Sequence, residues 1–282
     1  YLKITDYAQE LLDDLDKLEG WPENVKAQQR NWIGRSEGAE IDFTLAAEDG
    51  VTPTDRKITV FTTRADTLFG VSFFLLPPES PLAAELVAGT EHEAAFEELK
   101  AATEKVSSVE RQGSEREKHG IFTGRYVINP INGRPAPVWV ADYILMDYGT
   151  GAVMGVPCGD QRDFDFAKKY GLEIAPIICE KDDPLYDELK NERELRVTSV
   201  DWDHAMVAEG YLVQSGEFTG LKGGKHSEAV DAILGWLSER GLGRAKVQFR
   251  LRDWLISRQR YWGNPIPMIH CDCCGDVPVP YD

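Results

Sequence analysis

The sequence predicts a β-rich mixed α/β domain whose strands close into an antiparallel-type β-barrel decorated with helices. Three observations carry that expectation. Short period-two segments recur through the middle of the chain. Few of them alternate with helices in the βαβ rhythm of a parallel sheet. Closure would also remove the unpaired edges that so many strands expose. Along the chain the reading is a segment 1–36, a main domain 37–245 and a return segment 246–282.

Each element has a local reason. Residues 6–18 are expected as a helix: Leu11, Leu12, Leu15 and Leu18 share a stripe, Asp6 caps the start, and Gly20 with Pro22 ends it. The stretch 30–38, with Gly34 and Gly38 around a polar turn, is read as a hinge. Ala39, Ile41, Phe43 and Leu45 alternate with polar residues as a half-buried strand; strands at 57–63 and 71–76 follow the Asp49-Gly50 turn. Ser80-Pro81 opens a helix, and Thr90 with Glu93 forms a capping box ahead of residues 94–100. Residues 105–119, charged and containing Gly and Ser, are expected as a mobile surface loop. Strands at 126–129 and 137–143 flank an Asn132-Gly133 turn, and a short strand covers 152–156. A helix over 161–170 stops at Gly171, residues 180–200 form an acidic insertion, and a helix spans 227–240 before a last strand at 245–251.

Composition narrows the function classes. With 282 residues, seven Trp and eleven Phe, the chain supports a packed core and is not a disordered polymer. It has no apolar run of membrane-spanning length and no signal-peptide pattern, so no membrane partner is expected. Five cysteines, three of them at 271, 273 and 274, do not make a disulfide framework; a reducing, cytoplasmic setting and a monomer are expected. A chain that begins at Tyr1 and stops after a Cys cluster reads as a piece of something larger. The net charge of −17 opposes non-specific attraction to nucleic acid, so any RNA contact must be local.

Two stretches carry chemistry. Thr62, Thr63 and Thr67 cluster with Arg64 and Asp66 at a strand end; threonine is an ordinary strand residue, so packing is one reading, and three within six positions around a charged pair before Gly70 make a ligand-facing cluster the other. Asp160 and Asp163 open a helix after the tight Pro157-Cys158-Gly159 approach. One reading makes them a cap and a dipole partner. Another has both carboxylates grip an ammonium group. A third gives them a divalent metal, although no His lies nearby. Gly149-Thr150-Gly151 lacks the Lys of a P-loop and the third Gly of a dinucleotide fingerprint. Cys158 beside carboxylates is a poor thiolate. Cys271 and Cys274 form a CxxC, half of a zinc ribbon or knuckle, whose other half is absent unless His270 assists.

With those motifs in place, the chain resembles bacterial leucyl-tRNA synthetase, specifically the editing domain inserted in its catalytic domain together with flanking catalytic sequence. The resemblance covers residues 1–20, Gln29 to Ser36, 61–70, 148–167, and Arg250 to Trp254 through Arg258 to Gly263. It makes 1–36 a catalytic-domain segment and linker, 37–245 the editing domain, and 246–282 the return into the catalytic domain. It implies hydrolysis of the ester joining a wrong amino acid to the terminal adenosine of leucine tRNA. Asp163 would anchor the substrate's ammonium group with Asp160 in support, and Thr67 would reject leucine. Thr62, Thr63, Arg64 and Arg162 would engage the adenosine, its ribose or the attacking water, and Leu145, Tyr148, Met154 and Val156 would wall the pocket. Editing would need no cofactor; ATP and Mg²⁺ would serve only the parent ligase, whose HIGH and KMSKS signatures are absent here. Two departures stand out: Ala65 where the family has proline, and Cys158-Gly159 where a small residue and a histidine are usual. Two rival readings stay open: a non-catalytic tRNA-docking insertion, and a zinc-dependent module built on Cys271 and Cys274.

Overall fold

A computed structural model describes residues 2–111, 113, 116–146, 150–191, 195–196, 204–206, 209–255, 268–271 and 273–280. In chain order its helices are α1 (Ala8–Asp14), α2 (Glu23–Ile33), α3 (Pro81–Val87), α4 (Glu93–Thr103), α5 (Ser108–Arg111), α6 (Gln161–Tyr170), α7 (Pro184–Leu189) and α8 (Glu228–Glu239). The strands are β1 (Arg35–Ala46), β2 (Pro53–Thr62), β3 (Phe73–Leu76), β4 (Gly120–Ile128), β5 (Pro135–Ala141), β6 (Val153–Gly155), β7 (Ile178–Cys179), β8 (Tyr211–Leu212), β9 (Gly243–Phe249), β10 (Met268–Cys271) and β11 (Gly275–Pro278). The chain forms two compact units, residues 37–246 and residues 1–36 with 247–282.

The expected closed barrel is not what the chain builds. The main sheet is open and mixed, ordered β2-β1-β4-β5-β3-β6, with β9 also on β1. Among the described residues no ladder joins β6 to β2. β3 runs parallel to β5, pairing Phe74 with Val138 and Leu76 with Val140, and antiparallel to β6. A parallel neighbour needs a long crossover, and α3 and α4 lie in the one between β3 and β5, packed on β4. Every residue of β3 is buried, the mark of a strand covered on both faces. Phe43 meets Phe74 edge-on at 5.4 Å, and Phe166 of α6 packs on Phe73 at 5.5 Å and Tyr170 at 4.6 Å.

Several local expectations also change. Residues 6–18 form α1 between two 3-10 turns rather than one helix, and Leu11 is exposed, off the buried stripe. Within the stretch read as a hinge, residues 30–33 complete α2, Gly34 ends it at φ 62°, and β1 begins directly at Arg35. In the 90s segment Thr90 Oγ1 accepts from His92 N–H while Glu93 accepts from Gly89 N–H; the two side chains organise the preceding turn, and α4 itself has no side-chain cap. Of the expected surface loop 105–119, the described part contains α5 and two buried cations, Arg111 and Lys118. The acidic stretch after residue 180 contains α7, whose Leu189 is fully buried with Cys179 and Val213.

In the smaller unit Ala8, Leu15, Ile33 and Leu251 share a core, and Thr5 Oγ1 donates to Asp253 at 2.6 Å. β10 and β11 pair as an antiparallel hairpin that carries the cysteine cluster. Residues 256–267, including Arg258 to Gly263, lie outside the described residues. Among the described residues no helix is long and apolar enough to cross a membrane.

Candidate active site

β2 ends at Thr62, and the chain turns through Thr63 and Arg64 into a 3-10 helix over Ala65–Gly70. Thr62 Oγ1 accepts from the Arg64 N–H at 3.0 Å, and Thr67 Oγ1 donates to the Arg64 carbonyl at 2.8 Å. Two of the three hydroxyls therefore shape the turn itself. That of Thr63 has no hydrogen-bond partner among the described residues. α8 packs over this helix with Ile233 and Leu237 fully buried, each contributing roughly 1.5–3 kcal/mol. Gly70 is required by close approach: a Cβ there would meet Ile177 Cγ1 at 2.8 Å. Ala65, at the first helical position and 1% exposed, starts the helix without the family's proline.

Asp66 is the hidden anchor of this turn. It is fully buried, takes Arg64 Nε and Nη2 at 2.9 Å each, and accepts the Gly224 N–H at 2.8 Å. One carboxylate thus fixes the Arg64 guanidinium and ties down the loop that brings Lys225 to the cleft.

Across the cleft stands the start of α6. Asp160 is its N-cap, accepting the N–H groups of Arg162 at 2.9 Å and Asp163 at 3.4 Å. It also pairs with the Arg162 guanidinium at 2.8 Å. Burial works against its charge, but the Arg162 hydrogen bond and charge, with the two backbone N–H groups, hold it below the usual carboxylate range. The capping explanation is therefore correct for Asp160, and it coexists with a place on the cleft wall.

Asp163 differs. It is 6% exposed, and its oxygens accept from the Tyr143 hydroxyl at 2.8 Å and the Val156 N–H at 2.9 Å. Burial, then the neighbouring Asp160 charge, push its pKa up to about 7, against the two hydrogen bonds and Arg162. A carboxylate offers about four acceptor positions, so both oxygens keep capacity for a ligand donor.

These two walls enclose a cleft of about 340 Å³. Thr62, Thr63, Arg64 and Thr67 face Asp160, Arg162 and Asp163, while Leu145, Met154 and Val156 supply apolar wall. The cleft brings together every expected site residue of its unit except Tyr148, which lies outside the described residues; Cys271 and Cys274 belong to the other unit. Tyr143 and Lys225 also line the cleft and were not anticipated; nothing local marks either. Asp66, named from the sequence with Arg64, is fully buried behind the turn and does not line the cleft.

The alternatives fare unevenly. Cys158 is buried and its thiol is pushed up to about 12, which removes it as a nucleophile. At Gly159 an added Cβ would meet only Val156 O at 4.0 Å, so the position is open space without a side chain. Cys271 has its thiol lowered by the backbone N–H groups of Cys273 and Cys274, and Cys274 is exposed. His270, the expected helper, instead contacts Asp276. Among the described residues no group of three or more potential metal ligands exists.

Fold and cleft together define an α/β domain that can hold a small cationic ligand between a buried carboxylate and a hydroxyl-lined turn. Residues 30–237 match the family model described as leucyl-tRNA synthetase, editing domain, and the chain belongs to that family. It is 53% identical over 283 residues to a leucine–tRNA ligase of Thermotoga maritima, covering 99% of this chain and 31% of that protein. To the leucine–tRNA ligase of an Arthrobacter species it is 49% identical over 284 residues, covering 100% of this chain and 31% of that protein. A crystal structure of an Agrobacterium radiobacter LeuRS–tRNA–LeuAMS ternary complex superposes with a TM-score of 0.65 at 39% identity, covering 99% of this chain and 28% of that one. The chain thus spans about a third of the length of these curated relatives.

Proposed function

We propose that the cleft carries out post-transfer editing: it hydrolyses the ester linking a wrong amino acid to the terminal adenosine of leucine tRNA. One observation carries the reading: a buried carboxylate with spare acceptor capacity, Asp163, faces Thr67 and Thr63 across the cleft. An α-ammonium group docked on Asp163 makes a charge-assisted hydrogen bond. The ester then points toward the 62–64 turn, where Thr63 has a hydroxyl to offer water or ribose. Thr67 stands as a branched wall with its own hydroxyl tied to the Arg64 carbonyl, so its part is to exclude rather than to react.

Arg64, Arg162 and Lys225 line the cleft, the first two paired with Asp66 and Asp160, so on a chain of net charge −17 the cationic contacts offered to RNA are few and local, which suits one RNA end rather than a long duplex. A structural relative crystallised with tRNA agrees with that partner. No His lines the described cleft, and in this reading water is held by threonine hydroxyls and the substrate's own ribose hydroxyl. The need for such a site is physical: a synthetic pocket separates amino acids differing by one methylene by only about 1–3 kcal/mol. Ligation with ATP and Mg²⁺ belongs to the remaining length of the relatives, and the whole protein acts as a cytosolic monomer. The test is incubation of the chain with isoleucyl-, norvalyl- and leucyl-tRNA. Release of the first two with leucine retained supports the reading; retention of all three, with tRNA still bound, would leave a docking role.

A further inference from the structure

We infer that Tyr143 is a positioning residue of this cleft: its phenol hydroxyl orients the Asp163 carboxylate and helps keep it charged for the substrate's ammonium group. The inference rests on the functional reading above and deepens it. Asp163 is held from two different elements, Oδ1 by the Tyr143 hydroxyl at 2.8 Å and Oδ2 by the Val156 N–H at 2.9 Å. Two donors at opposite oxygens fix the carboxylate plane and leave its remaining lone pairs to the ligand.

Tyr143 is itself immobilised. It is 1% exposed and its ring packs on Phe166 at 5.7 Å. Arg111 grips the backbone on both sides of it, donating Nε to the Asp142 carbonyl at 2.6 Å and Nη2 to the Ile144 carbonyl at 2.5 Å. The Asp142 carboxylate is engaged with Arg116 at 3.1 Å and the His119 N–H at 3.0 Å, so it does not compete for the phenol.

The groups facing Asp163 explain why a donor is needed there. Its own helix presents Asp160 and Arg162, the far wall presents Arg64 and Lys225, and the preceding loop holds the neutral Cys158. Burial opposes a negative charge on Asp163, and the neighbouring Asp160 opposes it further. Burial and the Asp163 charge raise the phenol well above its ordinary value, so Tyr143 keeps its proton and remains a donor.

The experiment uses the 282-residue chain labelled with carbon-13 aspartate, the Asp163 carboxyl resonance being assigned by its loss in Asp163→Asn. Tyr143→Phe keeps the ring and removes the donor. Its Asp163 midpoint should rise by about one pH unit, a tenfold loss of carboxylate below that point. The acid limb of kcat/KM for isoleucyl-tRNA, corrected for spontaneous hydrolysis, should move up equally and recover at higher pH. 3-Fluorotyrosine at position 143, a stronger donor of nearly the same shape, should move the midpoint down. An unmoved Asp163 midpoint in both variants overturns the inference, as does a pH-independent loss of activity with that midpoint unchanged. A wild-type chain that hydrolyses nothing would overturn the functional reading instead, while the carboxyl titration would still decide the part played by Tyr143.

Discussion

Replacing Asp163 by Asn should stabilise the protein at neutral and alkaline pH while disabling the cleft. In the unfolded chain this carboxyl titrates near its ordinary value of 3.8; in the folded chain burial, with the neighbouring Asp160 charge, raises it to about 7. The folded state therefore binds more protons across that window, and the group's contribution to stability falls as pH rises through it. Above pH 7 the cost is complete. A displacement of about three pH units corresponds to roughly 4 kcal/mol. An amide escapes that cost and fits the same partners: its oxygen can accept the Val156 N–H, and its NH₂ can donate to the Tyr143 oxygen, whose hydroxyl rotates. Losing a carboxylate from the first helical turn returns about 0.3–1 kcal/mol. The net expectation is a gain of about 2–4 kcal/mol at pH 8, shrinking toward zero near pH 4. Urea unfolding followed by tryptophan fluorescence at pH 5, 6.5 and 8 measures it. Deacylation by the same variant should fall roughly 10–100-fold, the value of a hydrogen bond to a charged group. A variant no more stable than wild type at pH 8, or a difference that does not change with pH, would refute the reasoning.

Two further outcomes follow from the site. Asp66→Ala leaves Arg64 without its carboxylate and Gly224 without its acceptor; because Arg64 still reaches solvent, unfolding should become easier by about 2–3 kcal/mol in urea titrations, below the full cost of breaking a buried pair. Hydrolysis of isoleucyl-tRNA should weaken with salt, the kcat/KM slope against salt on logarithmic axes being no steeper than about −2, since three cationic side chains line the cleft and a single-stranded end contributes about 0.7 per contact; a slope several times steeper would place RNA contacts elsewhere on the chain.

What the sequence disclosed was local punctuation. α6 was legible to the residue because Asp160 caps it and Gly171 ends it at φ 64°. α8 was legible within one residue at each end through Ser227, whose side chain accepts the Val230 N–H. The Thr62–Thr67 cluster and the Asp160/Asp163 pair were legible as candidate cleft residues because each lies within a few positions of sequence, and both line one cleft. Topology was not. Period-two alternation says that a strand is half-buried, not which strand lies beside it, and the parallel β3–β5 pairing overturned the barrel. The cations Arg111 and Lys118 looked like a solvated loop because nothing in the sequence shows that their heads reach backbone carbonyls. Tyr143 stands twenty residues from its partner Asp163, so only the fold could connect them.

The central claim is that Thr67 makes this cleft a steric sieve for a mischarged tRNA end, and leucyl-tRNA hydrolysis by position-67 variants tests it most directly. In the structure the Thr67 hydroxyl donates to the Arg64 carbonyl, so the proposed exclusion of leucine assigns the work to its branched shape, not its oxygen. Wild-type chain should spare leucyl-tRNA. Thr67→Ala should hydrolyse it roughly tenfold faster or more, since relieving an overpacked methyl is worth about 1–3 kcal/mol. Thr67→Val, which keeps the branch and discards the hydroxyl, should still spare it, and Thr67→Phe should block isoleucyl- and leucyl-tRNA alike. If Thr67→Ala leaves leucyl-tRNA intact, or if Thr67→Val hydrolyses it as fast as Thr67→Ala does, the sieve is not at this residue.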